Sequence, residues 1–366
     1  MKKFTKMWAI AACALFAGTA AVNAEDYTWK FVTAGDATTY AIRSDGSLWS
    51  WGWNEKGQGG NGVSERTATP TLADGNRVWK KAVGGKAYGF FLAEDGSLWA
   101  AGTHEGGVQG TNDGIDHKVL TRIGTDNDWA DMACSRFWGY SGFAIKTNGT
   151  LWAWGKNSAG QLGIGNTQAQ TAPVQVGADM DWKQVAAGCS SVLALNTDGS
   201  LWGWGFNMYS ELFGHEGKQL SPVRLGSETD WEQVVVIDFR AYAVKKDGTL
   251  WAWGDNANNL LGFNTPTEEE TTAEGNPVEV VTVPQITAPT HVTSIEGKVL
   301  TISGCENTLS VATGTDGVIE KVWMLGSNTD GALGDGKGLG NGNKDIHFAK
   351  VPVNPSLKSS LKFAGM

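Results

Sequence analysis

The 366-residue chain is poor in the residue types on which small-molecule chemistry most often rests. Its five histidines, His104, His117, His215, His291 and His347, are scattered, and no two stand at zinc-ligand spacing. There is no Gly-x-Ser-x-Gly elbow and no phosphate-binding glycine loop. No catalytic constellation, metal site or cofactor is therefore expected. Cysteine is scarce too: beyond Cys13 there are only Cys134, Cys189 and Cys305. An odd number leaves at least one unpaired within the chain, and a core of this size needs no stapling, so buried free thiols are expected. Arg136 close to Cys134 is the only hint of an electropositive neighbour that could activate a thiol.

Past residue 24 no stretch approaches the ~20 apolar residues of a membrane span. The first 24 residues read as a secretory signal, with Lys2, Lys3 and Lys6 ahead of an apolar core from Met7 to Phe16 and a small-residue site at Val22-Asn23-Ala24. A lipoprotein box ending at Cys13 is the competing reading. The mature chain would begin at Glu25, carry 26 basic against 38 acidic residues, and be exported to a periplasm, cell surface or medium. A formal charge of −12 with no basic stripe argues against nucleic acid as a partner.

What the chain has in excess is tryptophan and glycine, 18 and 50 against nine prolines, and both recur periodically. The unit is clearest from Thr150 to Gly165, where Leu-Trp-Ala-Trp-Gly follows an Asn148-Gly149 turn and leads into a glycine-pinned loop. Related turns stand at Asp45-Gly46, Asp95-Gly96, Asp198-Gly199 and Asp247-Gly248, with successive spacings of 50, 53, 50 and 49, and a degraded copy at Asp316-Gly317. Such turns favour type I′ hairpins, with positive φ at both central residues. A lone tryptophan precedes each of the first five turns, at Trp29, Trp79, Trp129, Trp182 and Trp231, and a Pro-Val pair follows the later ones, at Pro173, Pro222, Pro277 and Pro352.

Each repeat thus reads as four short strands: A from the lone tryptophan, B into the turn, C carrying Leu-Trp-x-Trp-Gly, and D carrying Pro-Val at an edge. Four-stranded antiparallel units at this period are blades of an all-β propeller. Ten tryptophans fall in strand C and five open strand A, which assigns them to blade packing. Six blades are counted, with a divergent seventh as the alternative. The expected organisation is a leader over 1–24, a single propeller over 25–353, and a tail over 354–366. Its repeats run near 29–78, 79–128, 129–181, 182–230, 231–297 and 298–353.

The loop Gly155-Lys-Asn157-Ser-Ala-Gly160-Gln161-Leu162-Gly163-Ile-Gly165 resembles the repeat of the regulator of chromosome condensation family. Similar loops begin at Gly52, Gly205, Gly254 and Gly326. The family includes a nuclear exchange factor, a plant ultraviolet receptor and, in the same superfamily, a bacterial inhibitor of β-lactamases. The resemblance implies a propeller, commonly seven-bladed, that binds other proteins with its faces; it does not carry one specific function. With a leader present, a bacterial exported member is the expectation.

With strands alternating in direction, A–B and C–D loops share one face, and departures from the repeat there are the place to seek function. Trp53, Tyr88, Arg136, Trp138, Tyr140, Phe239 and Arg240 are the candidate partner-binding residues, since aromatics and arginine dominate interfaces. His104 falls on the same face. Glu268-Glu269-Glu270 reads as a solvated acidic loop, and Gly334 to Asp345 as a poor match to a calcium loop. The reading is a monomeric, non-enzymatic binding module for a protein or cell-surface ligand. The alternatives are a specific inhibitor of another exported enzyme, or a secreted enzyme acting on polysaccharide or cell wall through carboxylates such as Asp238.

Overall fold

The hairpin turns build the blades. In the turn at Asp45-Gly46, Gly46 N–H donates to the Arg43 carbonyl and Gly46 takes φ 86°, while Asp45 keeps a negative φ. The Asp45 carboxylate instead accepts from Ser47 N–H at 2.9 Å and Ser47 Oγ at 2.6 Å, and Ser47 Oγ accepts from Trp49 Nε1 at 2.8 Å. The same relay joins Asp95, Ser97 and Trp99, then Asn148, Thr150 and Trp152, then Asp247, Thr249 and Trp251. These turns are therefore type I followed by a left-handed glycine, not the expected type I′, because the side-chain relay favours a right-handed Asp or Asn. Only Asp316-Gly317 has positive φ at both residues, 48° and 75°.

The computed structural model describes residues 28–136, 139–178, 181–257, 260–263, 285–305, 308–326 and 349–351. They form six four-stranded antiparallel sheets. Blade 1 comprises β1 (Trp29–Ala34), β2 (Thr38–Arg43), β3 (Leu48–Gly52) and β4 (Thr67–Asp74), and blade 2 β5 (Trp79–Gly84), β6 (Tyr88–Ala93), β7 (Leu98–Gly102) and β8 (His117–Arg122). Blade 3 has β9 (Trp129–Cys134), β10 (Ser141–Lys146), β11 (Leu151–Gly155) and β12 (Gln170–Gln175); blade 4 has β13 (Trp182–Ala187), β14 (Ser191–Asn196), β15 (Leu201–Asn207) and β16 (Gly217–Arg224). Blade 5 has β17 (Trp231–Ile237), β18 (Arg240–Lys245), β19 (Leu250–Asp255) and β20 (Gln285–His291), and blade 6 has β21 (Val299–Cys305), β22 (Thr308–Thr315), β23 (Val318–Gly326) and β24 (Ala349–Val351). The protein is a six-bladed β-propeller. Each described blade uses four strands consecutive in sequence, so no strand is exchanged between blades among them.

Strand A is innermost, beside the strand A of the next blade. Glutamine clamps tie neighbouring inner strands: Gln184 Nε2 donates to the Val234 carbonyl at 3.1 Å while its Oε1 accepts from Val234 N–H, and Gln233 does the same with Leu300 and Ile302. Lys81 and Asp131 make the corresponding contact as an ion pair. Strand D is the outer edge, and Pro70, Pro173, Pro222 and Pro289 take the same register in it. Pro289, not Pro277, is thus the strand-D proline of blade 5; Pro277 lies outside the described residues.

The second tryptophan of strand C packs between blades. Trp154, Trp204 and Trp253 are fully buried, and each donates its Nε1 proton to a loop carbonyl of the preceding blade: Val108, Gln161 and Glu211, all at 2.8 Å. Blades 2 and 6 have Ala101 and Leu325 at this position. In both cases the preceding blade supplies a tyrosine from strand B: Tyr40 hydroxyl donates to the Gln58 carbonyl at 3.1 Å and Tyr242 hydroxyl to the Leu260 carbonyl at 2.7 Å. In blades 2, 3 and 4, each followed by a blade that has its tryptophan, the same strand-B position is Phe90, Phe143 or Leu193. A carbonyl that would be orphaned by loss of the indole is satisfied by a phenol, as buried polar groups require.

Candidate functional site on the loop face

The A–B and C–D loops meet through one repeated backbone bond. Trp53, Thr103, Lys156, Phe206 and Asp255 N–H donate to Ala37, Ala87, Tyr140, Ser190 and Phe239 carbonyls respectively. The C–D loop is pinned by an asparagine, buried in blades 1, 3 and 5 and half-buried in blade 4, whose Oδ1 accepts the N–H five residues on: Asn54 from Gly59, Asn157 from Leu162, Asn207 from Leu212, Asn256 from Leu261. Four residues after the asparagine, a glutamine reaches back to a loop N–H, as Gln58 Oε1 does to Lys56 at 3.1 Å and Gln161 Oε1 to Ala159 at 2.9 Å. The Gly-x-Asn-x-x-Gly-Gln-Leu motif is therefore scaffolding.

Departures from this scaffold concentrate on the same face. Among the described residues six non-glycines have left-handed backbone, and five of them, Ala87, Asn112, Tyr140, Ser210 and Asp238, lie in A–B or C–D loops. Non-glycine residues held there cost roughly 1 kcal/mol or more each and gather where function constrains the chain. At one register of the A–B loops, the seventh residue after the start of strand A, stand Asp36, Lys86, Arg136, Cys189 and Asp238. Arg136 reaches across the mouth of the ring, its Nη1 donating to the Ala34 carbonyl of blade 1 at 3.3 Å.

The candidate residues divide by burial. Tyr88, Tyr140 and Arg240 are buried, at 1%, 5% and 4% exposure, and hold the loops together from inside. Tyr88 hydroxyl donates to the Ser135 carbonyl of the next blade and its ring packs on Tyr140 at 5.9 Å. Arg240 Nη2 pairs with Asp238 Oδ2 at 3.1 Å. Burial pushes the Asp238 carboxyl above its ordinary pKa although the Arg240 guanidinium pulls it down, and burial with Glu105 nearby pushes the Tyr140 phenol up to about 12. Trp53, Arg136 and Phe239 are half-buried and present part of their side chains at the surface. Trp138 lies outside the described residues, as do residues 1–27, where a leader is expected, Glu268 to Glu270 and Gly334 to Asp345.

Sequence reasoning missed Met208 and Tyr209, in the C–D loop of blade 4. Met208 is 48% exposed, and the Tyr209 ring packs against Phe239 of blade 5 at 5.0 Å, tilted by 48°. The signal was available: this loop replaces the usual glycine by Ser210 and the usual glutamine by Glu211. His104 is exposed and its Nδ1 lies 2.6 Å from Asp116 Oδ1. Cys134 is buried and Cys189 half-buried, the Cys189 Sγ lying 3.6 Å from Asp238 Oδ1. Among the described residues no group of three His, Cys, Asp or Glu side chains could hold a metal ion, and no helix is long and apolar enough to cross a membrane.

The fold is that of a six-bladed β-propeller, and parts of the chain match one family of propeller repeats. Residues 45–92 and 148–195 match the Regulator of chromosome condensation (RCC1) repeat, and residues 29–58 match a second description of it. The chain is 30% identical over 163 residues to the Ultraviolet-B receptor UVR8 of Arabidopsis thaliana, covering 44% of this chain and 37% of that one. It is 27% identical over 150 residues to Protein RCC2 of Homo sapiens, covering 40% of this chain and 19% of that one. The match thus spans well under half the length of either relative. Human WBSCR16 superposes with a TM-score of 0.73 at 17% identity, over 90% of this chain and 82% of that chain. Prp20p from Saccharomyces cerevisiae superposes at 0.69 and 18% identity, over 89% and 77%. At these identities the two structures show a shared fold.

Proposed function

We propose that the protein is an exported, non-enzymatic binding module that captures a protein or surface ligand on its A–B and C–D loop face. The observation that carries this reading is the concentration of left-handed non-glycine residues on that face, beside the partly exposed rings of Trp53, Tyr209 and Phe239 and the exposed Met208. Rigid aromatic anchors in a polar surround are what protein interfaces are made of. The repeat is known in binding and regulatory proteins: Prp20p has binding properties to Gsp1p and histones, and Kap60 binds yeast RCC1. A leader at residues 1–24 and the acidic mature charge support action outside the cytoplasm, on a partner that is not a nucleic acid. Inhibition of another exported enzyme is a narrower form of the same reading.

The hydrolase alternative is weakened because Asp238, its candidate carboxylate, is committed to Arg240 and to the strained turn it occupies at φ 55°. The test is affinity capture from the native cell surface and culture fluid with residues 25–366. A variant carrying Trp53→Ala, Tyr209→Ala and Phe239→Ala should lose the captured partner while remaining folded, with only a small fall in melting temperature. Capture unchanged by the triple substitution would move the binding surface elsewhere.

A further inference from the structure

Glu211 occupies the position that Gln58 and Gln161 hold in blades 1 and 3, and it makes their bond: its Oε2 accepts from Tyr209 N–H at 2.8 Å. Its other oxygen accepts from Ser191 Oγ of β14 at 3.2 Å, and the side chain has no exposed surface. A glutamine here is neutral and offers both an acceptor and a donor. A carboxylate offers acceptors only and brings a full charge into a site with neutral donors alone, its own N–H, the Tyr209 N–H and the Ser191 hydroxyl.

The charged groups around it do not compensate. Asp255, at the end of β19, adds like charge. The Asp238–Arg240 pair on the A–B loop of blade 5 is internally balanced, with the Cys189 thiol against Asp238. Lys218 on β16 points its Nζ to the Ser158 carbonyl and the Phe206 ring. Among the described residues no cation lies within hydrogen-bond distance of Glu211.

We infer that Glu211 is a proton-operated latch of the blade-4 loop: protonated, it copies the glutamine of the other blades and the loop stays closed; ionised, it favours an opened loop that lets water reach the carboxylate. Burial and Asp255 push this carboxyl up to about 7, which sets the latch at neutral pH. The loop is already strained at Ser210, which holds at φ 66° the left-handed conformation that Gly57 and Gly160 take in blades 1 and 3, and it is held to β20 by Gln285 Nε2 donating to Ser210 Oγ. Opening would separate Tyr209 from Phe239. The latch is a property of the loop and stands or falls independently of what the loop binds.

The test is hydrogen exchange of the 207–212 segment in the intact protein at pH 6 and pH 8, each corrected for the intrinsic exchange rate. A carboxyl moving from about 7 when closed to an ordinary value when open raises the opening constant about tenfold over this interval. The blade-3 segment 157–162, with its glutamine, is the internal control and should not respond, and Glu211→Gln should abolish the response. Independently of that variant, the carboxyl carbon resonance of Glu211 should titrate near neutrality and at lower pH in Asp255→Asn. Titration of Glu211 at an ordinary carboxylate value, or an equal pH response in wild type and Glu211→Gln, would overturn the latch.

Discussion

At the hairpin-turn end of the propeller, a carboxylate or amide, a hydroxyl and an indole repeat from blade to blade, with cations laid over the tryptophan pairs. Arg43 lies 4.6 Å from the Trp49 ring, Lys146 4.8 Å from Trp129 and Lys245 4.8 Å from Trp231. At the other end the same repeat produces loops that differ from blade to blade among the described residues, with an arginine buried in one, a tyrosine in another and a glutamate in a third. The first end repeats because each turn is stabilised by its own side chains. The second varies because its loops close on neighbouring blades, so a change in one can be absorbed by the next, as Tyr40 and Tyr242 absorb the loss of an indole. A face whose scaffold tolerates such substitution can evolve a binding surface, and the turn end cannot do so without losing its relay.

The largest expected effects break the comparison at the buried contacts of the loop face. Arg240→Ala strands Asp238 without its guanidinium and should cost about 3–5 kcal/mol, the penalty for halving a buried pair. Trp204→Ala should cost a similar ~3–5 kcal/mol by opening a cavity between blades 3 and 4 and orphaning the Gln161 carbonyl. Urea denaturation followed by tryptophan fluorescence measures both. If Arg240→Ala were near neutral, the residue would be the exposed contact that its sequence suggests.

The next effect is a pH dependence with a definite sign. Glu211 has a carboxyl raised from 4.5 to about 7 in the folded chain, so folding takes up a proton between those values. The stabilisation is fully present below the unfolded value, falls as pH rises, and is lost through about pH 7, with a ceiling of roughly 3 kcal/mol. The turn aspartates Asp45, Asp95, Asp198 and Asp247 run the other way. Their Ser and Thr hydrogen bonds hold them below 3.8, so their small contribution is present above that value and lost as pH falls through their folded pKa values. Melting temperature against pH should therefore decline from pH 5 to 8 in wild type and flatten in Glu211→Gln.

A smaller effect tests the exchange of indole for phenol. Tyr242→Phe removes the donor to the Leu260 carbonyl and should cost about 1–2 kcal/mol. Phe143→Tyr, at the same register in blade 3, brings a hydroxyl to a place where Trp204 already satisfies the carbonyl, and should be unfavourable rather than stabilising.

The blade count, strand order and the role of nearly every tryptophan were legible in the sequence, since one packing rule is written out five times at a fixed spacing. The turn type was not. Asp-Gly favours a type I′ hairpin when only backbone is considered, and the side-chain relay through the following Ser or Thr decides otherwise. Strand D of blade 5 was misplaced to Pro277 because Pro-Val recurs there by composition, whereas register with Trp251 and Ala252 selects Pro289. The loop face itself was readable from strand alternation, and Trp53, Arg136 and Phe239 do reach its surface. Burial of Tyr88, Tyr140 and Arg240 was not readable. Which blade closes over a loop is a three-dimensional fact, and a large side chain that breaks a repeat looks alike whether it fills the gap beneath or stands above it.

The smallest expected effect on stability is also the one that separates the two kinds of irregular residue. Trp53, Tyr209 and Phe239 keep part of their surface exposed, and Tyr209 meets Phe239 across blades 4 and 5 through a ring contact alone. Their replacement by alanine should shift stability far less than Arg240→Ala, by about 0.5–1 kcal/mol per position from lost ring contacts alone. If capture of the native partner disappears at that small cost, the exposed irregular residues serve recognition while the buried ones serve the scaffold. If the triple variant instead unfolds as readily as Arg240→Ala, these rings belong to the packing, and the surface offered to a partner must be sought in Met208 and the charged mouth of Asp36, Lys86 and Arg136.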